Sequence, residues 1–309
     1  MIFTVTLNPS LDRALSVPEL LPGAIHRARL LREDLGGKGG NVSRSLRGLG
    51  IPSRILGFAG GRSGEALRAG LLAEGFDVAF VDTGAEIRHN LTLFDEASSL
   101  YTKINELGPE IEAQPVAALE ALVGESVQPG DLWAFCGSLP PGAPLDLYAR
   151  LIERVQEKKG LAFLDASGTA LRSGVTARPF AIKVNTEEAG ELLGLDLGEG
   201  LEVACAASKL LEGTTRLVML TRGARGLILA TESERLAAIP PQVEARSPVG
   251  AGDAALAGLL WAACEQCDLV TTARRAVACG TAAAMQEGSG VGDASLVREL
   301  LDKVAIQPI

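Results

Sequence analysis

The sequence predicts an α/β fold with a mostly parallel sheet and helices on both faces. Short β-rich runs alternate along the chain with amphipathic helical runs, and this alternation is typical of βαβ units. The predicted buried strands are IFTVTL, SRILGF, LWAFC, LAFLDA, FAIKV and RLVMLT. Helical patterns such as SGEALRAGLLAEG, PLDLYARLIERVQEKKG and EVACAASKLLEG lie between them. A chain of 309 residues that is 47% hydrophobic can bury one large core of this kind.

The elements follow one another from the first residue to the last without a linker. The first strand begins directly at the N-terminus, MIFTVTLNPSLDR, which lacks the basic start and the cleavage site of a signal peptide. Two segments, 14–32 and 88–104, have the pattern of short strands with no helix between them. We expect them to form a small β appendage, for which a lid and ordinary edge hairpins fit equally well. The remainder, 1–13, 33–87 and 105–309, is expected to form the α/β core, mainly helical after Asp253.

Composition excludes several classes of partner. The formal net charge of -9 argues against a surface for nucleic acid or an anionic membrane. No run of about 18 uncharged apolar residues is present, so no membrane span is predicted. The five cysteines are odd in number and scattered, which is typical of a reducing compartment. We therefore expect a cytoplasmic protein with small-molecule ligands.

A glycine-rich stretch, SPVGAGDAALAG, lies late in the chain at 247–258. Gly250, Ala251 and Gly252 resemble a loop whose N–H groups bind an anion at a helix start. A dinucleotide fingerprint is disfavoured because this stretch is late in the chain and Asp253 would face the pyrophosphate. A plain turn is a second alternative. We favour a third, in which Asp253 takes a proton from an attacking hydroxyl while the N–H groups stabilise the transferring phosphoryl group.

Two further stretches indicate polar ligands. LGGKGGNVSRSLRGLG, at 35–50, is not a Walker A motif because glycine follows Lys38. Its glycines favour close approach of the backbone to a ligand, although a plain turn also fits. Asn41 begins a helical pattern, where it can cap the helix or bind ligand. GSLPPG, at 137–142, makes a rigid turn after the strand LWAFC, where ligands bind in open α/β sheets.

Together these stretches resemble the PfkB (ribokinase-like) family of carbohydrate kinases. GGKGGNVSRSLRGLG matches the N-terminal signature of the family and SPVGAGDAALAGLL its C-terminal signature. GSLPPG, DASG at 165–168, N-x-x-E at 185–188 and TRGARG at 221–226 follow in the family's order. TLNPSLDR at 6–13, GGKGGN and TKINELGP at 102–109 are similar to the phosphosugar branch. That branch contains 1-phosphofructokinase, tagatose-6-phosphate kinase and the minor 6-phosphofructokinase.

The resemblance implies a fold and an activity. The implied fold is a ribokinase-like doubly wound sheet with a small β-sheet lid, through which a homodimer can pair. The implied activity is phosphorylation of a ketohexose monophosphate by ATP with Mg²⁺, foremost fructose 1-phosphate to fructose 1,6-bisphosphate. Alternatives within the branch are tagatose-6-phosphate kinase and 6-phosphofructokinase. Alternatives outside the branch are a neutral-sugar or nucleoside kinase and a regulator that binds sugar phosphates without turnover.

The resemblance also implies roles for individual residues. Asp253 matches the general base, and the anion hole matches Gly250, Ala251 and Gly252. The implied sugar-phosphate ligands are Asp12, Gly37, Lys38, Asn41, Arg88 and Ser138. The implied ATP ligands are Lys183, Thr221, Arg222, Gly223 and Gly226. Asn185 and Glu188 resemble the pair that organises Mg²⁺ and its waters.

Some positions depart from the family pattern. Ser247 and Pro248 stand where many relatives have Asp or Asn followed by Thr. Pro248 removes a hydroxyl and an N–H, which disfavours the monovalent-cation site that some relatives have nearby. Lys103 stands where relatives often have Glu, and either a phosphate contact or a solvated lid charge fits. Cys264 and Cys267 lack a second CxxC pair, so they do not predict a zinc site.

Overall fold

The protein is built on one large and one small sheet, in a computed structural model that describes residues 1–198, 201–213, 215–287 and 291–309. The strands are β1 (Ile2–Thr6), β2 (Ser10–Val17), β3 (Arg29–Gly36), β4 (Ser53–Ala59), β5 (Asp77–Asp82), β6 (Arg88–Asp95), β7 (Leu100–Asn105), β8 (Leu132–Cys136), β9 (Leu161–Asp165), β10 (Ala181–Asn185), β11 (Leu217–Thr221), β12 (Leu227–Thr231), β13 (Arg235–Ile239) and β14 (Ala305–Pro308). The helices are α1 (Lys38–Gly48), α2 (Gly61–Ala73), α3 (Ala113–Ser126), α4 (Leu147–Glu157), α5 (Gly168–Gly174), α6 (Thr186–Leu193), α7 (Leu201–Leu211), α8 (Ala251–Cys264), α9 (Leu269–Ala284) and α10 (Ala294–Leu301). In the described residues, no helix is long and apolar enough to cross a bilayer.

The large sheet is mostly parallel, as the alternation of strands and helices predicts. Its strand order is β14-β13-β12-β11-β10-β9-β8-β1-β4-β5. The pairs along the order β5-β4-β1-β8-β9-β10-β11 are parallel, whereas β12, β13 and β14 are antiparallel at one edge. From β1 the strand order runs to one edge through β4 and β5 and to the other edge from β8 onwards. The strand order therefore reverses at β1, which lies between β4 and β8. In open α/β sheets such a switch point creates a crevice beyond the carboxyl ends of the strands.

Two apolar cores explain why the central strands are continuously hydrophobic. Successive side chains of β8 point to opposite faces, so Trp133 and Phe135 join one core while Leu132 and Ala134 join the other. The first core includes side chains of α3, α4 and α7, and the second includes side chains of α1, α8 and α9. A strand that is buried on both faces needs no polar alternation. The six predicted core strands are all present, each within one residue at either end.

The small sheet comprises β2, β3, β6 and β7, in the order β3-β2-β6-β7. Its first strand pair extends beyond the predicted segment 14–32, because β2 begins at Ser10 and β3 ends at Gly36. Residues 18–28, which connect these two strands, do not form a strand, although the pattern predicted short strands over 14–32. The start of β2 reads SLDR, and its polar residues Ser10, Asp12 and Arg13 conceal the alternation that marks a strand. β5, β12, β13 and β14 were also not predicted, and β14 lies in a tail that was expected to be mainly helical.

Close packing of α8 against α9 depends on glycine. A Cβ added at Gly258 would lie 2.6 Å from the Arg275 carbonyl oxygen and 2.7 Å from the Ala276 Cα. A Cβ at Gly280 would lie 3.0 Å from the Ala251 carbonyl oxygen, at the first residue of α8. These contacts are with backbone atoms, so they cannot be relieved by turning a side chain. The glycines therefore allow α8 and α9 to approach each other closely.

We predict that Gly258→Ala lowers the free energy of unfolding by about 1–3 kcal/mol, because the new methyl group forces α8 and α9 apart. Gly124→Ala is the matched control, since Gly124 lies in α3 and an added Cβ meets nothing within 4 Å. The control should stabilise the protein by about 0.5–1 kcal/mol through helix propensity. Urea unfolding of both variants measures the difference. Equal stabilities would contradict the packing described for α8 and α9.

Candidate active site

The carboxyl ends of neighbouring strands bring polar residues to one edge of the large sheet. Asp165 ends β9 level with Cys136 of β8, and Asn185 ends β10 level with Thr221 of β11. The first turns of α1 and α8 lie at the same edge, as the contacts of Lys38 and Asp253 described below show. Side chains distant in sequence therefore meet at the switch point.

Asp165 is a fully buried carboxylate that pairs with two lysines. Lys38 Nζ donates to its Oδ1 at 2.9 Å, and Lys183 Nζ lies 3.0 Å from the same oxygen. Burial acts to raise the pKa of Asp165, but Lys183 and Lys38 outweigh burial and hold that pKa below its usual range. Asp165 in turn raises the pKa of Lys38. One carboxylate oxygen therefore holds the two lysine side chains close to each other.

Asp253 lies in the first turn of α8 with its side chain almost fully buried. Asn41 Nδ2 donates to its Oδ2 at 2.9 Å. Burial raises the pKa of Asp253 to about 6, and the negative charge of Asp165 acts in the same direction. Lys38, the hydrogen bond from Asn41 and Lys183 oppose this rise. The carboxyl group is therefore ionised at neutral pH and basic enough to accept a proton.

Asn41 is held in place by Arg44, one turn further along α1. Arg44 Nη1 donates to Asn41 Oδ1 at 3.3 Å, and because a guanidinium cannot accept, the amide must turn Nδ2 towards Asp253. Arg44 is itself fixed by paired hydrogen bonds to Glu74, at 2.8 and 2.9 Å. The prediction that Asn41 begins the helix is wrong. The helix begins at Lys38 after the N-cap Gly37, so Asn41 does not cap it.

The glycines around Lys38 allow α1 to approach β1. Gly39 N–H donates to Thr6 Oγ1 at 3.0 Å, and a Cβ at Gly39 would lie 2.5 Å from that oxygen. Gly37 has a φ of 124°, and its Cβ would lie 3.0 Å from Thr6 Cγ2. A larger residue at either position would push the helix away from the sheet. Lys38 could then no longer reach Asp165.

The loop before α8 presents backbone N–H groups. Gly250 is the N-cap, with a φ of 80° that favours glycine. Ala251 N–H donates to the Pro248 carbonyl oxygen at 3.3 Å. The N–H groups of Gly250, Gly252 and the next residue have no acceptor within the described part of the chain. A Cβ at Gly252 would lie 3.2 Å from Lys183 Cε, so glycine also lets this lysine approach the loop.

Arg88 lies at the start of β6, where the small sheet meets the large one. Its Nε donates to the Asn8 carbonyl oxygen at 3.1 Å, and its Nη1 donates to the Glu106 carbonyl oxygen at 3.3 Å. Burial lowers the pKa of Arg88, and the charge of nearby Asp12 opposes this change. Arg88 is therefore a half-buried cation held by neutral carbonyl groups.

Asp12 and Ser138 are held by hydrogen bonds near Arg88. Asp12 Oδ1 accepts hydrogen bonds from Ser10 Oγ at 2.7 Å and from Asn90 Nδ2 at 2.8 Å. Ser138 Oγ accepts a hydrogen bond from Asn8 Nδ2 at 3.4 Å. The structure thus brings Asp12, Arg88 and Ser138 to the inner end of the small sheet.

Asn185 and Glu188 form a capping box at the start of α6. Asn185 Oδ1 accepts the Glu188 N–H at 2.8 Å, and Glu188 Oε2 accepts the Asn185 N–H at 2.9 Å. The box uses one oxygen of the Glu188 carboxylate, and the second remains for another ligand. Glu188 also raises the pKa of Lys38, so its charge acts within the same crevice. This donor set fits Mg²⁺ held largely through water.

A cavity of about 1030 Å³ lies beside this capping box. Its lining includes Asn185, Thr221, Gly223, Gly226 and Gly252. Arg222 lies in the same turn without lining the cavity, and its Nη2 donates to the Arg225 carbonyl oxygen at 3.1 Å. Lys183 also does not line this cavity, although it touches the loop before α8. A second cavity, of about 1230 Å³, lies near the amino ends of β9, β10 and β11 and contains no predicted site residue.

Asp165 and Arg44, which hold Lys38, Lys183 and Asn41 in place, were not predicted as functional. Asp165 belongs to DASG and directly follows a buried strand, which is the position where ligands bind in open α/β sheets. Its place directly after a buried strand was the sequence feature that could have identified Asp165 as functional. Arg44 has no such signal, because it stands within an ordinary helical pattern. Lys103, left open by the sequence, lies exposed on β7 of the small sheet.

Comparisons with known proteins cover nearly the whole chain. Residues 6–294 match the pfkB family of carbohydrate kinases. The 1-phosphofructokinase of Bacillus subtilis strain 168 is 33% identical over 307 residues, covering 99% of both chains. The 1-phosphofructokinase of Rhodobacter capsulatus is 36% identical and covers 90% of this chain and 88% of its own. The crystal structure of Escherichia coli phosphofructokinase-2 with potassium superposes with a TM-score of 0.93 at 29% identity, covering 98% of each chain.

The family match and the structural superposition agree with the resemblance and the fold class predicted from the sequence, and both predictions are confirmed. The superposition extends over the small sheet as well as the large one, because it covers 98% of the chain. Sequence, fold and the arrangement of charged groups at the switch point thus lead to one assignment. The chain belongs to the pfkB family of carbohydrate kinases.

Proposed function

We propose that the protein transfers the terminal phosphoryl group of ATP to a hydroxyl of fructose 1-phosphate, producing fructose 1,6-bisphosphate and ADP. The observation that carries this proposal is the position of Asp253. It is a buried carboxylate with a raised pKa, in the first turn of a helix whose N-terminal N–H groups include three without an acceptor in the described residues. The choice of sugar follows the names of the 1-phosphofructokinase relatives.

Asp253 acts as the general base in this proposal. Its carboxylate accepts the proton of the acceptor hydroxyl as the oxygen attacks the terminal phosphorus. A P–O bond forms to the sugar, the bond to ADP breaks, and the proton remains on Asp253. The hydrogen bond from Asn41 leaves one carboxylate oxygen to receive that proton. A pKa of about 6 suits this role, because the group is ionised at pH 7 and still a useful base.

The surrounding cations and N–H groups balance the negative charge of the reaction. The loop of Gly250, Ala251 and Gly252 forms the anion hole at the N-terminus of α8, where the helix dipole adds to the N–H groups. Within the described residues its unpaired N–H groups are those of Gly250, Gly252 and Asp253, because the Ala251 N–H donates to the Pro248 carbonyl oxygen. Lys38 and Lys183 supply ammonium groups towards the acceptor and the nucleotide. Bound Mg²⁺ would neutralise phosphate oxygens of ATP, with Asn185 and Glu188 holding it through water.

The two substrates occupy opposite sides of Asp253 in this proposal. ATP lies in the cavity lined by Thr221, Gly223 and Gly226, with Lys183 and Arg222 next to it. The acceptor lies below the small sheet, which acts as a lid. Asp12 and Asn41 bind its hydroxyl groups, together with Gly37 and Ser138. Arg88 and Lys38 bind the phosphate that it already carries, and a kinase for neutral sugars would have no need of these cations.

We predict that fructose 1-phosphate has the highest kcat/KM in a panel with fructose 6-phosphate, tagatose 6-phosphate and unphosphorylated fructose. ADP release measured by a coupled assay ranks the four acceptors. The control preparation is Asp253→Asn, which keeps the shape of the carboxyl group and should lose about 10²–10⁴-fold in kcat. A higher value for another acceptor would reassign the sugar. Wild-type turnover by Asp253→Asn would refute its role as the base.

We assign this activity to the cytoplasm. All five cysteines are unpaired, including the buried Cys136 and Cys279 and the exposed Cys205 and Cys264. Free thiols persist in reducing compartments, where disulfides rarely form. ATP and sugar phosphates are metabolites of that same compartment.

We further propose a homodimer paired through the small sheet. Large apolar side chains on its strands and connections are exposed, including Ile25 at 94%, Leu100 at 67% and Tyr101 at 66%. Exposed apolar strands favour pairing with a second copy. Sedimentation velocity at about 10 µM protein should show a dimer, and Tyr101→Lys should dissociate it. A monomeric wild-type protein at that concentration would contradict the proposal.

A further inference from the structure

Asn8 lies in the short connection between β1 and β2, where the chain passes from the large sheet to the small one. Its side chain is only 4% exposed. Asn8 Nδ2 donates to the Leu107 carbonyl oxygen at 2.9 Å and to Ser138 Oγ at 3.4 Å. Its own carbonyl oxygen accepts the hydrogen bond from Arg88 Nε. Asn8 therefore contacts the connection that follows β7, the turn that follows β8, and Arg88.

The orientation of the Asn8 amide follows from its partners. A carbonyl oxygen can only accept, so Nδ2 must face Leu107. Asn8 Oδ1 then has no donor within the described residues, and it lies against Gly108, where an added Cβ would be 2.3 Å away. A buried amide oxygen without a partner destabilises the fold. The two hydrogen bonds donated by Nδ2 therefore account for an amide at this position.

These contacts converge on the two carbonyl groups that hold Arg88. One is the carbonyl of Asn8 itself, and the other is that of Glu106, the residue before Leu107. Glu106 is tied to β6 as well, because its Oε2 accepts the His89 N–H at 2.7 Å. When Asn8 holds Leu107, it also fixes the Glu106 carbonyl against the guanidinium. The same Nδ2 holds the hydroxyl of Ser138.

We propose that Asn8 is a positioning residue for the acceptor phosphate, acting by holding Arg88 and Ser138 in a fixed relation. Asn8 contacts neither substrate in this proposal. The inference rests on the proposed function, in which Arg88 binds the phosphate of the sugar. Without Asn8, the connection at 106–108 keeps only the contact of Glu106 with His89 as a side-chain anchor, and Arg88 spends part of its time displaced. The protein then binds the sugar phosphate more weakly, while the chemical step and ATP binding are preserved.

A double-mutant cycle tests this inference. We predict that Asn8→Ala raises the KM for fructose 1-phosphate about tenfold, with kcat and the KM for ATP changed by less than about twofold. In an Arg88→Ala background the same substitution should raise that KM by a clearly smaller factor, because one of the two residues that Asn8 positions is already gone. An equal factor in both backgrounds would overturn the proposal. A fall in kcat at unchanged KM would do the same.

Gly108→Ala provides a second variant that leaves Asn8 in place. Its φ of +99° and the 2.3 Å approach to Asn8 Oδ1 mean that the new methyl group displaces the amide. It should therefore raise the same KM as Asn8→Ala does. Gly130→Ala is the matched control, because Gly130 has a φ of +84° but nothing within 4 Å of an added Cβ. The control should leave the KM unchanged, and an equal rise in both glycine variants would count against the proposal.

Limited proteolysis separates failure of this inference from failure of the proposed function. Leu107 is 81% exposed, so chymotrypsin can reach it once the connection moves. Asn8→Ala should accelerate cleavage after Leu107 in the absence of any substrate, and unchanged cleavage would refute the anchoring role. Arg88→Ala alone tests the proposed function. If that variant keeps the wild-type KM for sugar phosphates, Arg88 is not their ligand, whatever the proteolysis shows.

Discussion

The buried carboxylate of Asp165 is the constraint on which the rest of the site depends. Placing a charge in the interior is costly unless cations and hydrogen bonds compensate it, and Lys38 and Lys183 both do so through one oxygen. That shared oxygen determines where the two ammonium groups stand. Its charge also contributes to the raised pKa of Asp253. One residue at the end of β9 thus influences the cation positions and the basicity of the proposed base.

The topology of the large sheet makes this arrangement possible. β9 supplies Asp165, β10 supplies Lys183, and the first turns of α1 and α8 supply Lys38 and Asp253. These elements meet because parallel strands all end at one edge. Glycine then permits the close approaches, at Gly39 against β1 and at Gly258 between α8 and α9.

Much of this could be predicted from the sequence, and the exceptions have physical causes. The core strands were recognisable because burial on both faces leaves them uniformly apolar, and the glycine loops because few other residues permit such turns. The small sheet was located with inexact bounds, since its first residues are polar and face the site. The contact of Asn41 with Asp253 joins residues separated by 212 positions. No local pattern encodes such a contact, nor the sharing of Asp165 by two lysines.

The most direct test of this account is the pH dependence of kcat/KM for fructose 1-phosphate, in the wild-type protein and in Asp165→Asn. Activity should fall as the pH decreases through about 6 in the wild type, because Asp253 takes up a proton there. In Asp165→Asn a negative neighbour is lost and two ammonium groups are left uncompensated. Both changes favour ionised Asp253, so the midpoint should move to lower pH. The second ionisation of the sugar phosphate is common to both proteins. An unchanged midpoint, or one that moves to higher pH, would contradict the account.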